Sequence, residues 1–194
     1  FDINALLNDP GSKNHDPLES VFESILNYPC PVIAMMNGSA YGAGYELALC
    51  CDIRIGADDI SVGMPPAKIG IVYPWKGMRR FVQTLGIQTV KEMFFTGNVY
   101  RGSELKEKGL THYLIPRTEL ESFTYDFAEK IAANSPLATR GTKRIFNLLQ
   151  NGHGMSAEDI REAETIIAEV MKSDDLKEGK DAFLQKRRPR FEGK

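Results

Sequence analysis

Pro31-Val32-Ile33-Ala34-Met35-Met36-Asn37-Gly38-Ser39-Ala40-Tyr41-Gly42-Ala43-Gly44-Tyr45-Glu46-Leu47-Ala48-Leu49-Cys50-Cys51-Asp52 carries three kinds of structure in succession. Its opening apolar run, bounded by prolines and by Asn37-Gly38, reads as a short strand buried on both faces. A glycine-punctuated turn follows, and from Ala43 to Cys50 the composition is that of a helix. Asp52-Ile53-Arg54-Ile55-Gly56 then reads as the next strand. Strand, turn, helix and strand make a β-α-β unit and place the chain in the α/β class.

Upstream, Gly11-Ser12-Lys13-Asn14 is a loop. Pro17-Leu18-Glu19 opens a helix whose apolar positions Leu18, Val21, Phe22, Ile25 and Leu26 fall at three-four spacing and which ends at Tyr28-Pro29. Downstream of Ser61-Val62-Gly63, the stretch from Met64 to Trp75 is rich in Pro and Gly and reads as irregular, the kind of loop that carries sites on a rigid scaffold. Helices are predicted over 78–85, 88–95 and 103–108, with His112-Tyr113-Leu114-Ile115 as a last short strand. From Glu119 onward all is helical, near 119–134, 136–149, 156–172 and 176–186, interrupted at Asn151-Gly152-His153-Gly154 and Ser173-Asp174-Asp175.

With 194 residues, 42% hydrophobic and 26% charged, the chain has the composition of a globular protein rather than a disordered, collagen-like or disulfide-dense one. Lys plus Arg is 24 against 26 Asp plus Glu, so the net charge of -2 supplies no global attraction for nucleic acid or anionic lipid. Cys30, Cys50 and Cys51 read as reduced core thiols, since adjacent cysteines in a regular element do not readily bridge each other. No stretch approaches the roughly 20 apolar residues of a membrane span. The first residues form no signal peptide, which fits the cytoplasm or an organelle matrix.

Small residues at 37–44 let a backbone approach a ligand closely, and the first N–H groups of the helix that follows lack internal acceptors. Ala43 N–H is therefore a candidate oxyanion donor. A tight strand-to-helix turn needing small residues for packing reads the same stretch equally well. Glu46, one turn into that helix among apolar neighbours, is partly desolvated at a cost that something must offset. It is either a proton-transfer or substrate-binding group, or a structural glutamate paired with a buried donor. His15, His112 and His153 have no Asp or Glu spacing around them that completes a metal-ligand set.

The segment PVIAMMNGSAYGAGYELALCCD, with KEMFFTG and the terminal EGKDAFLQKRRPRF, resembles the enoyl-CoA hydratase/isomerase (crotonase) superfamily over essentially the whole chain. The resemblance implies a β-β-α spiral core over residues 1–118, carrying the acyl-CoA-binding and catalytic part. It also implies a helical C-terminal trimerisation region over 119–194. Its common chemistry is the polarisation of a thioester carbonyl by two N–H groups that stabilise an enolate. Ala43 matches the second donor, where the family usually has Gly. Phe1-Asp2-Ile3 matches the end of an Ala-Gly-x-Asp-Ile motif, so the first donor is expected two residues ahead of Phe1, within an N-terminal part of the family that is missing from this chain.

Glu46 matches the first catalytic glutamate of a hydratase. The second falls at Pro66, which cannot move a proton, and losing a positioned acid-base group typically costs about 10²–10⁴ in rate. PPAKIGIVY, followed by the C-terminal motif, is similar to the methylmalonyl-CoA decarboxylase branch, which also has proline at this place and a tyrosine where Tyr73 stands. Decarboxylation needs orientation and enolate stabilisation rather than a base. By itself Tyr73 reads as a loop aromatic beside Pro74 and Trp75. Gly42, Pro66, Phe183 and Lys186 are the implied substrate-binding positions, the last two reaching the CoA of a neighbouring subunit. The run Lys186-Arg187-Arg188-Pro189-Arg190 reads equally as a solvated helix end.

The expected function is thus decarboxylation of a malonyl- or methylmalonyl-type CoA. The alternatives are an enoyl-CoA hydratase or isomerase using Glu46 alone, and a non-catalytic acyl-CoA-binding or assembly protein. CoA enters as part of the substrate, with no separate cofactor and no metal. A homotrimer or dimer of trimers is expected, without nucleic-acid or membrane partners.

Overall fold

The structure, a computed structural model, describes residues 17–150 and 156–194. The 11–14 loop, Phe1-Asp2-Ile3, His15, His153 and the 151–154 break lie outside them. Two compact units divide the chain: one takes the residues up to Leu26 and Val32–Thr124, the other Asn27–Pro31 and Tyr125–Lys194.

The first unit begins with α1 (Pro17–Leu26), whose Phe22 is buried. β1 (Ile33–Met36), β2 (Ala40–Tyr41), α2 (Ala43–Cys50) and β3 (Ile53–Ala57) follow, so the quoted stretch forms the β-α-β unit its residues specify. β1 and β3 run parallel with Ile33 opposite Ile53, and β6 (Tyr113–Ile115) adds parallel to β3 on its other side. β3 is the central strand of the three and buries Arg54 through Ala57. β1 departs from expectation: it is not buried on both faces, because it lies at the edge of this sheet and Met35 remains 38% exposed.

A second small sheet joins β2, β4 (Ser61–Gly63) and β5 (Val99–Arg101) in the order β2-β4-β5, the first pair parallel and the second antiparallel. None of the three reads as a strand in the sequence: β2 lies hidden in the glycine-rich turn, and β4 and β5 are not assigned there. At two and three residues they are too short for alternation to register. The 64–75 stretch is less irregular than expected: Pro66–Ile69 is a 3₁₀ turn, and Trp75 already begins α3 (Trp75–Leu85). α4 (Ile87–Thr96) and α5 (Ser103–Glu107) complete this unit's helices. Its core is filled by Tyr45, Leu49, Ile55, Ile60, Met64, Phe81, Met93, Leu105 and Leu110.

α6 (Leu120–Ala132) contains the division between the units. The second unit holds α7 (Pro136–Leu149), α8 (Ala157–Met171) and α9 (Asp174–Leu184). Ser135, Ser156 and Ser173 cap the three, each accepting a backbone N–H, and Ser156 with Asp159 forms a reciprocal box. Lys143 is buried and donates to the Cys30 carbonyl at 3.0 Å. Cys50 and Cys51 are core thiols, whereas Cys30 is half-buried rather than fully enclosed.

Candidate active site

The turn from β2 into α2 depends on one backbone conformation. Gly42 has φ 54° and ψ -125°, in the region that L side chains rarely adopt, and its N–H donates to the Gly63 carbonyl at 3.1 Å, continuing the β2–β4 pairing. Its carbonyl accepts the Tyr45 and Glu46 N–H groups at 3.1 and 3.0 Å. The Ala43 and Gly44 N–H groups occupy the first helical turn, where the helix offers no acceptor, and neither donates to another described residue. A Cβ added at Gly42 or Gly44 would meet nothing within 4 Å. Among the described residues the turn therefore leaves two N–H groups without an acceptor, which an oxyanion donor requires.

One helical turn further, Glu46 is 2% exposed, and both of its carboxylate oxygens are occupied. Oε2 accepts the Tyr73 hydroxyl at 2.5 Å, and Oε1 accepts Nη1 of Arg80 at 2.6 Å. The second terminal nitrogen of Arg80 pairs with Glu19 of α1, which Lys76 also approaches at 3.5 Å, and the guanidinium lies 5.2 Å from the Phe22 ring centroid. The two alternatives for Glu46 have thus merged: it is paired with a buried donor, and one of its donors is Tyr73. Burial opposes the charge of Arg80, but its hydrogen bonds to Glu19 and Glu46 outweigh it and raise the group above its ordinary value. Burial also drives the Cys50 thiol on the same helix up to about 12, with Arg80 pulling it down and Glu46 pushing it up.

The ring of Tyr73 packs edge-on to Phe81 and Phe94, with centroids 6.3 and 5.9 Å away. Expectation placed it beside Pro74 and Trp75, but Trp75 is 68% exposed and plays no part in this cluster. Gly77 makes the arrangement possible: a Cβ there would lie 2.5 Å from a Tyr73 ring carbon and 3.0 Å from each Glu46 oxygen. Pro66 is buried at the start of the 3₁₀ turn, where its carbonyl accepts the Ile71 N–H at 3.0 Å and its ring offers no titratable proton. Ala43, Glu46, Tyr73, Gly42 and Pro66 all belong to the first unit.

Phe183 and Lys186 belong to the second unit. Phe183 is 84% exposed near the end of α9, and Lys186 falls beyond it: the helix stops at Leu184, and Lys186 is the non-glycine residue with positive φ, 52°, among those described. The basic run 186–190 is exposed throughout, as a solvated run would be, and lies past the end of the helix. Arg187 forms a two-armed bridge to Glu178 at 2.6 and 2.8 Å, and Asp175 accepts the Glu192 and Gly193 N–H groups, strapping the C-terminus back onto α9. His112 precedes β6 and accepts the Arg54 N–H on Nδ1 at 3.0 Å, a structural role. Among the described residues no three His, Cys, Asp or Glu side chains gather as a metal site, and no helix is long and apolar enough to cross a membrane.

A profile of the enoyl-CoA hydratase/isomerase family matches residues 2–194. The chain belongs to that family. Its fold is accordingly crotonase-like, with α/β sheets followed by a helical C-terminal region. Methylmalonyl-CoA decarboxylase of Escherichia coli (strain K12) is 30% identical to it, covering 92% of this chain and 68% of that protein. The enoyl-CoA isomerase/hydratase fer4 of Mycosarcoma maydis is 33% identical over 91% of this chain and 64% of its own length. Across the curated relatives of this set the chain spans between 52% and 68% of their length. A crystal structure of an enoyl-CoA hydratase from Bacillus anthracis superposes with a TM-score of 0.82 at 33% identity, over 91% of this chain and 68% of that one. A crystal structure of methylmalonyl-CoA decarboxylase gives 0.71 at 31% identity, over all of this chain and 74% of that one.

Sequence reasoning found the family's glycine-rich turn and Glu46 but missed Arg80, Glu19 and Gly77. A signal existed for part of this. Lys76 and Arg80 stand four residues apart on one helix, as do neighbours on a helical face, and Gly77 precedes Arg80 by three. Nothing local, however, indicated that this face meets Glu46.

Proposed function

We propose that this chain carries the enolate-stabilising part of an acyl-CoA enzyme that decarboxylates a malonyl- or methylmalonyl-type thioester. The observation that carries the reading is the Tyr73–Glu46 contact at 2.5 Å, with Glu46 committed as an acceptor on both oxygens. With both oxygens engaged by Tyr73 and Arg80, Glu46 is poorly disposed to activate water, and Pro66 provides no second acid-base group. Decarboxylation makes neither demand. The bond between Cα and the leaving carboxylate breaks, its electron pair delocalises into the thioester as an enolate, and carbon dioxide departs. Ala43 N–H receives the enolate oxygen's charge, while the Tyr73 hydroxyl, turning its single proton from Glu46 to the substrate, orients the carboxylate before it leaves. A water then delivers the proton that completes the product.

Gly42 keeps the backbone close to the acyl group in this reading, and Pro66 supplies an apolar wall. Phe183 and Lys186 are proposed to reach the CoA of a neighbouring subunit in a homotrimer or dimer of trimers. CoA is part of the substrate, and no further cofactor is invoked. The cytoplasm or an organelle matrix is the proposed location. A second reading, hydration or isomerisation of an enoyl-CoA through Glu46 alone, is favoured by the relatives whose names are those of hydratases and isomerases.

Turnover of methylmalonyl-CoA and crotonyl-CoA by the full-length protein, followed side by side by mass spectrometry, separates the two. Release of carbon dioxide with negligible hydration is the expected result. Hydration of crotonyl-CoA alone overturns it, and binding of both without turnover would make the protein an acyl-CoA-binding or assembly component.

A further inference from the structure

Seating a malonyl-type acyl group beside Tyr73 brings its carboxylate close to a second one. Glu46 already accepts the Tyr73 hydroxyl, is 2% exposed, and among the described residues faces few groups able to neutralise it. Tyr73 reaches it from the 71–74 loop, and Arg80 from α3 at 2.6 Å. Cys50 lies on its own helix, and Glu19 of α1 and Lys76 of α3 stand one step further out. Of the two cations only Arg80 touches Glu46. Its side chain is 12% exposed, whereas Lys76 is 50% exposed and pairs with Glu19 instead.

We propose that Arg80 is a positioning residue that admits anionic acyl groups to this site. It keeps Glu46 anchored when the Tyr73 hydroxyl turns its single proton to the substrate carboxylate, and it cancels the charge that would otherwise repel that carboxylate at the same phenol. Glu19 in turn fixes the guanidinium against Phe22 so that it cannot swing away to the ligand. The inference rests on the decarboxylase reading. At about 5 Å, the separation of two carboxylates flanking one phenol oxygen, uncompensated repulsion in a partly buried site corresponds to roughly 10²-fold in affinity.

The test is equilibrium binding to the full-length protein of two thioesters that cannot decarboxylate. Sulfoacetyl-CoA places a non-departing anion where the malonyl carboxylate would lie, and propionyl-CoA is the neutral counterpart. Arg80→Met should bind propionyl-CoA within a fewfold of the unaltered protein while losing about 10²-fold toward sulfoacetyl-CoA, and Arg80→Lys should restore most of that loss. Because Arg80→Met strands a buried carboxylate, the double variant Glu46→Gln with Arg80→Met supplies a second route. With the repelling charge gone, it should recover anion binding although the cation is still missing. Equal losses for both thioesters, or no recovery in the double variant, overturn the role of Arg80 while leaving decarboxylation standing. Exclusion of sulfoacetyl-CoA by the unaltered protein, with propionyl-CoA bound, overturns both.

Discussion

Gly77→Ala pits two effects of opposite sign against each other. Gly77 lies inside α3, so helix propensity alone makes alanine stabilising there by about 1 kcal/mol. The added Cβ, however, would stand 2.5 Å from the Tyr73 ring and 3.0 Å from both Glu46 oxygens. Neither neighbour is free to yield, since the Tyr73 ring is wedged edge-on against Phe81 and Phe94 and Glu46 is tied to Arg80. Overpacking of this kind costs about 1–3 kcal/mol, and loosening a hydrogen bond to a buried charged group costs about 1.5–3 more. The net loss is about 3 kcal/mol, which for a chain of this size lowers Tm by roughly 6–12 °C. Gly179→Ala in α9 is the matched control, because the nearest atoms to its Cβ are Phe191 ring carbons at 3.5 and 3.7 Å, an ordinary contact. It should gain about 1 kcal/mol and raise Tm by roughly 2–4 °C. Calorimetric unfolding of the full-length variants reads both. If Gly77→Ala is as stable as Gly179→Ala, the close approach of α3 to Glu46 is wrong, and the site built on it goes too.

Tyr73→Phe keeps the aromatic packing but strands Oε2 of Glu46 in a buried place, so it should lose about 1.5–3 kcal/mol in chemical denaturation and slow carbon dioxide release; unchanged stability would place the hydroxyl elsewhere. The C-terminal strap should open in acid. The Arg187 and Arg190 contacts lower Glu178 from 4.5 to about 2, and its carboxylate therefore ties the strap down fully above pH 4.5 and loses hold as pH falls toward 2. Asp175 works in the same direction, because hydrogen bonds from Ser135, Glu192 and Gly193 outweigh its burial. Hydrogen exchange of the amides of residues 190–193 should accelerate over that window, and Arg187→Ala should bring the same acceleration to neutral pH. Alkylation by iodoacetamide of the folded protein should modify Cys30 first, since Cys50 is buried with its thiol held near 12; early labelling of Cys50 would contradict its enclosure.

Much of this architecture was legible in the residues because its information is local. Apolar spacing in α1 and the proline and glycine boundaries of β1 and α2 act within a few residues. β2 and β5 were not legible, since strands of two and three residues owe their existence to partners on β4 rather than to their own pattern. The same distinction explains the C-terminus. A run of basic residues reads as solvated, and it is, but nothing local shows that Glu178 holds Arg187 or that Asp175 holds the Glu192 and Gly193 amides.

The site divides along the same line. The oxyanion turn is legible because a positive φ at Gly42 and two acceptor-less N–H groups are properties of a strand-to-helix junction itself. The surroundings of Glu46 are not, because its partners Tyr73 and Arg80 stand 27 and 34 residues away and reach it from different segments. Gly77 is the residue that joins them, and no local rule marks it. Its backbone is helical, so it is not required by conformation, and propensity argues against it. Only the third dimension supplies the reason: a side chain at that one position would occupy the space in which the phenol meets the carboxylate. A glycine in the interior of a helix, at a place where its cost is not repaid by any turn, is therefore a pointer to close approach from elsewhere in the chain. Here what approaches is Glu46 with Tyr73, on which both the proposed chemistry and the proposed role of Arg80 depend.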